Sequence, residues 1–179
     1  FMPFACDNGV FGARDKWRPE PWIELLEWVK RSGQSPLWVL VPDAVGDREL
    51  TLRRWGQYAG ITHRYGWPLA FAVQDGMTIR DVPAEADVVF VGGTTEWKWG
   101  SVREWCENFP HVHVGRVNSY HRLVQYRDLG AKSSDGTGWT RGDPVQWRGL
   151  CRFLKETKDM NNRYESIDCA DPNRCSACE

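Results

Sequence analysis

The chain has 179 residues, 41% hydrophobic and 26% charged, and its 23 Lys+Arg against 24 Asp+Glu leave a formal net charge of −1. That composition excludes a disordered or collagen-like chain, and the absence of a run of about 18 apolar residues excludes an ordinary membrane-spanning helix. Near-neutral charge excludes binding nucleic acid mainly through a whole-protein positive field and leaves only a local basic face for that purpose.

A chain of this size buries roughly 70% of the surface its unfolded form exposes, enough for a core without metal or disulfide staples. The opening FMPFACDNG has neither the basic nor the apolar region of a secretory signal, which predicts a cytoplasmic protein. Six cysteines, at 6, 106, 151, 169, 175 and 178, then read as free thiols and metal ligands rather than as a disulfide framework. Eleven tryptophans predict a Trp-rich core, with stacking on bases as the alternative wherever one lies beside a cleft.

In chain order, short apolar runs alternate with segments of helical period. The runs are Met2–Cys6, Leu37–Val41, Leu69–Val73, Val88–Val91, His111–Val114 and Ala131–Asp135; the helical segments are Pro21–Ser32, Arg48–Tyr65, Thr95–Asn108, Tyr120–Leu129 and Pro144–Asp159. This alternation predicts parallel strands joined by crossover helices. Asp143 before Pro144 reads as a helix N-cap, and Gly33, Gly66 and Gly130 follow helical runs where a left-handed residue ends a helix. From about residue 161 the sequence loses apolar periodicity, which suggests a barrel-type catalytic domain over 1–160 and a Cys-bearing tail over 161–179.

In parallel α/β folds the active site is built from the loops after the carboxyl ends of the strands. Here those loops read CDNG, VPDAVGD, VQDGM, VGGTTE, GRVNS and SSDGTGW. Turn formation explains any one of them, but Asp and Gly recurring through successive loops point to a pocket. Six strands do not close a (β/α)8 barrel, so the expected architecture is TIM-barrel-like, either reduced or lacking two βα units at its N-terminal side.

Read in order, the loops resemble the tRNA-guanine transglycosylase superfamily, whose members exchange a guanine in a polynucleotide for a 7-deazaguanine base. Asp7-Asn8-Gly9-Val10-Phe11 is similar to the family's DSGGFQ-type motif, and Val41-Pro42-Asp43 to its next strand ending in Asp. Val73-Gln74-Asp75-Gly76 is similar to its VQGG-type strand, Val91-Gly92-Gly93-Thr94 to its IGGL motif, and Gly130-Ala131-Lys132-Ser133-Ser134-Asp135 to the stretch before its nucleophile. Lys132, Asp75 and the Thr94-Thr95-Glu96 loop depart from the family pattern.

The resemblance implies that Asp135 attacks C1′ and Asp7 serves as general acid and base, as covalent exchange at a nucleoside requires. It also suggests a guanine-reading role for Asp43 and Gln74, one as acceptor and the other as donor, with Gly92 and Gly93 letting backbone approach the ring. Arg116, Asn118, Ser119 and Tyr120 are weaker candidates for ribose or phosphate contacts. Trp139 is the best stacking candidate, and His111 and His113 fit a core or pocket role. Cys169, Cys175 and Cys178 resemble part of the family's structural zinc site, so Zn2+ is the expected cofactor.

The expected partners are DNA, with tRNA as the alternative, and a 7-deazaguanine base; no membrane is expected. The short chain is similar to the compact DNA-modifying members of the family. A non-catalytic subunit and a nucleoside hydrolase on the same scaffold are the rival functions.

Overall fold

The structure, a computed structural model, describes residues 3–139, 141 and 143–168, with side chains as far as Asp159. It divides into two compact units. The first comprises the described residues up to Gly115 together with Tyr126–Asp135; the second comprises Arg116–Gln125 and the described residues from Gly136 onward.

The first unit is built on a five-stranded parallel sheet of β1 (Val39–Leu40), β2 (Leu69–Val73), β3 (Val88–Val91), β4 (Val112–Val114) and β5 (Ser133–Ser134). The strands lie side by side in chain order, and a parallel bridge from Cys6 to Val39 adds a sixth position beside β1. A doubly wound sheet reverses its order part-way, whereas sequential order is that of a singly wound, barrel-type sheet. The described strands form an open half-barrel.

Strand β2, LAFAV, is buried at all five positions and carries no apolar–polar alternation, as expected of a parallel strand covered on both faces. Its neighbours sort by parity. Leu40, Ala70, Ala72 and Val88 cluster with Trp38 and Phe90 on one face. Val39 packs on the other with Cys6, Trp22, Leu26, Val29 and Trp67.

Helix α1 (Val10–Ala13) is a single turn, whereas α2 (Pro19–Arg31) is long and puts Trp22, Leu26 and Val29 on one buried stripe at helical spacing. Each such side chain contributes about 1.5–3 kcal/mol through burial. Helix α3 (Arg48–His63) begins at Asp47, whose carboxylate accepts from Leu50 N at 2.9 Å, and its Trp55 meets Phe71 edge-on at 5.2 Å. Helix α4 (Thr95–Asn108) buries Lys98, Val102 and Trp105. Helix α5 (Tyr120–Asp128) precedes β5, and α6 (Pro144–Asp168) follows it.

Gly33, Gly66 and Gly130 all have positive φ, and Asp143 caps α6 through Val145 N and Gln146 N, as the sequence predicts. Several boundaries differ. Of the expected strand Met2–Cys6 the described residues contribute a bridge at Cys6 and an acceptor at Phe4 O, Leu37–Val41 contributes β1, and Ala131–Asp135 contributes β5. Helix α6 runs beyond Asp159 because the polar stretch after it contains no Gly or Pro, so loss of apolar period does not end it.

Within the second unit, Tyr120 OH donates to Glu156 Oε2 at 2.6 Å, and the Arg152 guanidinium sits 4.3 Å from the centre of the Tyr120 ring. Gly138 N donates to Asn118 Oδ1 at 2.9 Å. Among the described residues, no helix is long and apolar enough to cross a membrane.

Candidate active site

Because the strands are parallel, all their carboxyl ends lie along one edge of the sheet. Asp7 and Asn8 follow the Cys6 bridge, Asp43 follows β1, Gln74 follows β2, Gly92 and Gly93 follow β3, and Asp135 follows β5. The sequence expectation thus falls on one edge of one unit.

Four of these loops are tied together by a buried chain of hydrogen bonds. Asn8 Nδ2 donates to Val41 O at 3.1 Å and to Asp43 Oδ1 at 2.9 Å, while Gln74 Nε2 donates to Asp43 Oδ2 at 2.6 Å. Gln74 Oε1 in turn accepts from Gly46 N and Gly93 N, each at 2.9 Å. The backbone decides which way both amides face. Two N–H groups aim at one end of Gln74 and Val10 N donates to Asn8 Oδ1, so both amide nitrogens must turn toward position 43. That position therefore has to accept on both oxygens, which a carboxylate does and an amide does not.

Asn8, Asp43 and Gln74 are all buried. Burial pushes the Asp43 carboxyl above its ordinary range and outweighs the lowering effect of the Asn8 hydrogen bond; the nearby Asp7 charge raises it further and Arg54 lowers it. Arg54 also donates to Asp43 O and stacks 5.0 Å from the Trp17 ring, whose Nε1 donates to Asn8 O at 2.8 Å.

Gly92 and Gly93 are buried at the close approach of β3 to this chain. A Cβ on Gly92 would lie 3.0 Å from Gln74 Nε2. Gly93 has φ +70°, and a Cβ there would lie 2.6 Å from both Asp75 Oδ2 and a Trp97 ring carbon. Asp75 holds the next residue, accepting from Thr94 N at 2.7 Å and from Thr94 Oγ1. The departure of Asp75 from the family pattern thus has a local structural use.

Asp7 and Asp135 differ from Asp43 in being exposed. Asp7 Oδ1 accepts from Gly9 N at 2.6 Å, and the residue borders a cavity of about 300 Å3 whose wall includes Lys16, Trp17, Arg18 and Trp22. Asp135 Oδ2 lies 3.3 Å from His113 Nε2, and Ser133 Oγ lies 2.8 Å from His113 Nδ1. His113 is buried and His111 exposed, so the two do not share an environment. A second cavity, of about 430 Å3, opens at the opposite edge, where Pro68, Asp87, His111 and Lys132 precede their strands.

The sequence assigns no separate role to Asn8 and gives no sign of its link to Asp43 or of the pairing of His113 with Asp135. The alternation of HVHVG sets His113 on the face opposite Val112 and Val114 but does not name its partner. Arg116, Asn118, Ser119 and Tyr120 belong to the second unit, as does Trp139. Cys169, Cys175 and Cys178, the expected zinc ligands, lie outside the described residues.

No protein-family model and no curated protein matches the chain. It is similar to a solved structure described as "Native KDPGal structure", with 14% identity and a TM-score of 0.47 over 84% of this chain and 73% of that one. It is also similar to one described as "Structure of a cube-shaped, highly porous protein cage designed by fusing symmetric oligomeric domains", with 12% identity and a TM-score of 0.45 over 90% of this chain and 62% of that one.

Proposed function

We propose that the chain carries the active site of a base-exchange transglycosylase that replaces guanine in DNA with a 7-deazaguanine base, on a sheet of (β/α)8-barrel type. One observation carries the reading: two exposed carboxylates, Asp7 and Asp135, stand on the same edge of the sheet, and the buried Asn8–Asp43–Gln74 chain occupies the strand ends between them in sheet order. Covalent exchange at a nucleoside needs two accessible carboxylates with separate tasks above an ordered polar floor.

In this reading an Asp135 carboxylate oxygen attacks C1′, the C1′–N9 bond breaks, and its electron pair leaves with guanine, which takes a proton from Asp7. Asp7 then removes a proton from the incoming base. The freed nitrogen pair attacks C1′ and expels Asp135, restoring both groups. Guanine N1–H and its amino group present donors, and each Asp43 oxygen keeps a second lone pair beside its bond to an amide, so the reading gives Asp43 the guanine edge without displacing Asn8 or Gln74. Lys16 and Arg18, beside the cavity at Asp7, offer positive charge to a phosphodiester without requiring a basic protein overall.

The test is release of labelled guanine from DNA or tRNA in the presence of a panel of 7-deazaguanine bases, with Asp135→Ala as control. Release from DNA that depends on Asp135 is expected. Release from tRNA alone would move the activity to RNA; free base released without exchange would make the protein a hydrolase. No release from either polymer would overturn the reading.

A further inference from the structure

We infer that His113 is the positioning residue for Asp135, a role that rests on the reading of Asp135 as nucleophile. The argument begins in the ladder. Ala72, Phe90, His113 and Ser133 are successive lateral partners across β2, β3, β4 and β5, so their side chains share one face. Ala72 is small and Phe90 is large, and the His113 ring stacks on Phe90 at 4.9 Å and meets Trp38 edge-on at 4.8 Å. Those two rings fix the plane of the imidazole. Only about 5% of His113 is exposed, so its two nitrogens must find partners inside the protein.

Both do. Ser133 Oγ is a hydroxyl and can give its proton to Nδ1, which leaves Nε2 carrying the ring proton and facing Asp135 Oδ2. The chain Ser133 O–H to Nδ1, then Nε2–H to carboxylate, gives both ring nitrogens a partner. Its effect is to hold the Asp135 carboxylate through Oδ2 and so to set its orientation toward C1′. The Asp135 side chain remains about 45% exposed, as a nucleophile must be.

Two measurements on the full chain test this. In the wild type the Nε2 proton of His113 should give a slowly exchanging, hydrogen-bonded NMR signal that is lost in Asp135→Ala; its absence from the folded wild type, or its survival in Asp135→Ala, would overturn the assignment whether or not base exchange occurs. In the exchange assay His113→Phe, which keeps the ring stack, should lower kcat about 100-fold with KM changed less than about threefold, the loss expected from a misplaced reacting group. His113→Gln, which restores an N–H donor, should recover about tenfold of that loss. An unchanged kcat in His113→Phe would remove His113 from the reaction. If the wild type exchanges no base, the transglycosylase reading fails by itself and the NMR signal alone decides the His113–Asp135 link.

Discussion

Gln74 gives its amide nitrogen to Asp43 at 2.6 Å while its oxygen takes two backbone N–H groups, from Gly46 and Gly93, that belong to the loops after β1 and β3. One side chain therefore joins three successive strand ends. Asp43 extends the link to Asn8 and so to the loop bearing Asp7. A precise arrangement of loops needs such a buried network, because loops on their own carry few packing contacts.

Asp43→Asn tests the requirement for two acceptors. The new amide would set an N–H group against the nitrogen of Asn8 or of Gln74, and neither can turn without abandoning backbone donors. A loss of about 1–3 kcal/mol at neutral pH is expected by denaturant unfolding, the cost of an unmatched buried polar group. A variant as stable as wild type would show that the amides are free to reorient.

The same residue predicts a pH dependence. Burial holds the Asp43 carboxyl above its ordinary 3.8, so between 3.8 and the raised value the folded protein keeps a proton that the unfolded chain has lost. Its contribution to stability is then largest below 3.8 and declines as pH rises through that window. The melting temperature of wild type relative to Asp43→Asn should fall across that interval; a rise would reverse the assigned cause.

Gly93→Ala should be worse than Gly92→Ala. At Gly93 the backbone is left-handed and the added methyl meets Asp75 and Trp97, a combination expected to cost about 2–4 kcal/mol. At Gly92 the backbone is not left-handed, and the added methyl has to displace the Gln74 amide at 3.0 Å and Val73 O at 3.2 Å by a few tenths of an ångström. Thermal melting of the two variants measures the order, and equal losses would mean that the left-handed backbone carries no weight.

The sheet was legible because β1 to β4 lie in short apolar runs bounded by Gly, Pro and Asp, and because four helical segments separate the runs, with a fifth after the last. The strand-end loops were legible for the same reason, whereas the choice of Asp7, Asp43, Gln74, Gly92, Gly93 and Asp135 within them comes from the family resemblance. What could not be read was how they share hydrogen bonds. Asn8 looks like a turn residue in any sequence, and its reach to Asp43, 35 positions away, exists only once the Cys6 bridge sets the first loop beside β1. His113 reads as core by its neighbours, and it is core; its partner Asp135 appears through the pairing of β4 with β5, which periodicity does not specify.

Leu26 and Asp135 separate stability from chemistry. Leu26 is fully buried in the cluster of Trp22, Val29, Val39 and Trp67, so Leu26→Ala should cost about 2–5 kcal/mol through lost burial and the cavity left behind. It supplies no polar group to the strand-end loops, so kcat measured well below the melting transition should stay within about twofold of wild type. Asp135→Ala should do the reverse. Its side chain is about 45% exposed and its removal leaves little void, so unfolding should shift by no more than about 1–2 kcal/mol, the cost of the His113 N–H left without its acceptor, while exchange falls by at least about 1,000-fold. If Asp135→Ala instead melts like Leu26→Ala, its loss of exchange is a loss of fold, and the carboxylate is a structural partner of His113 rather than a nucleophile.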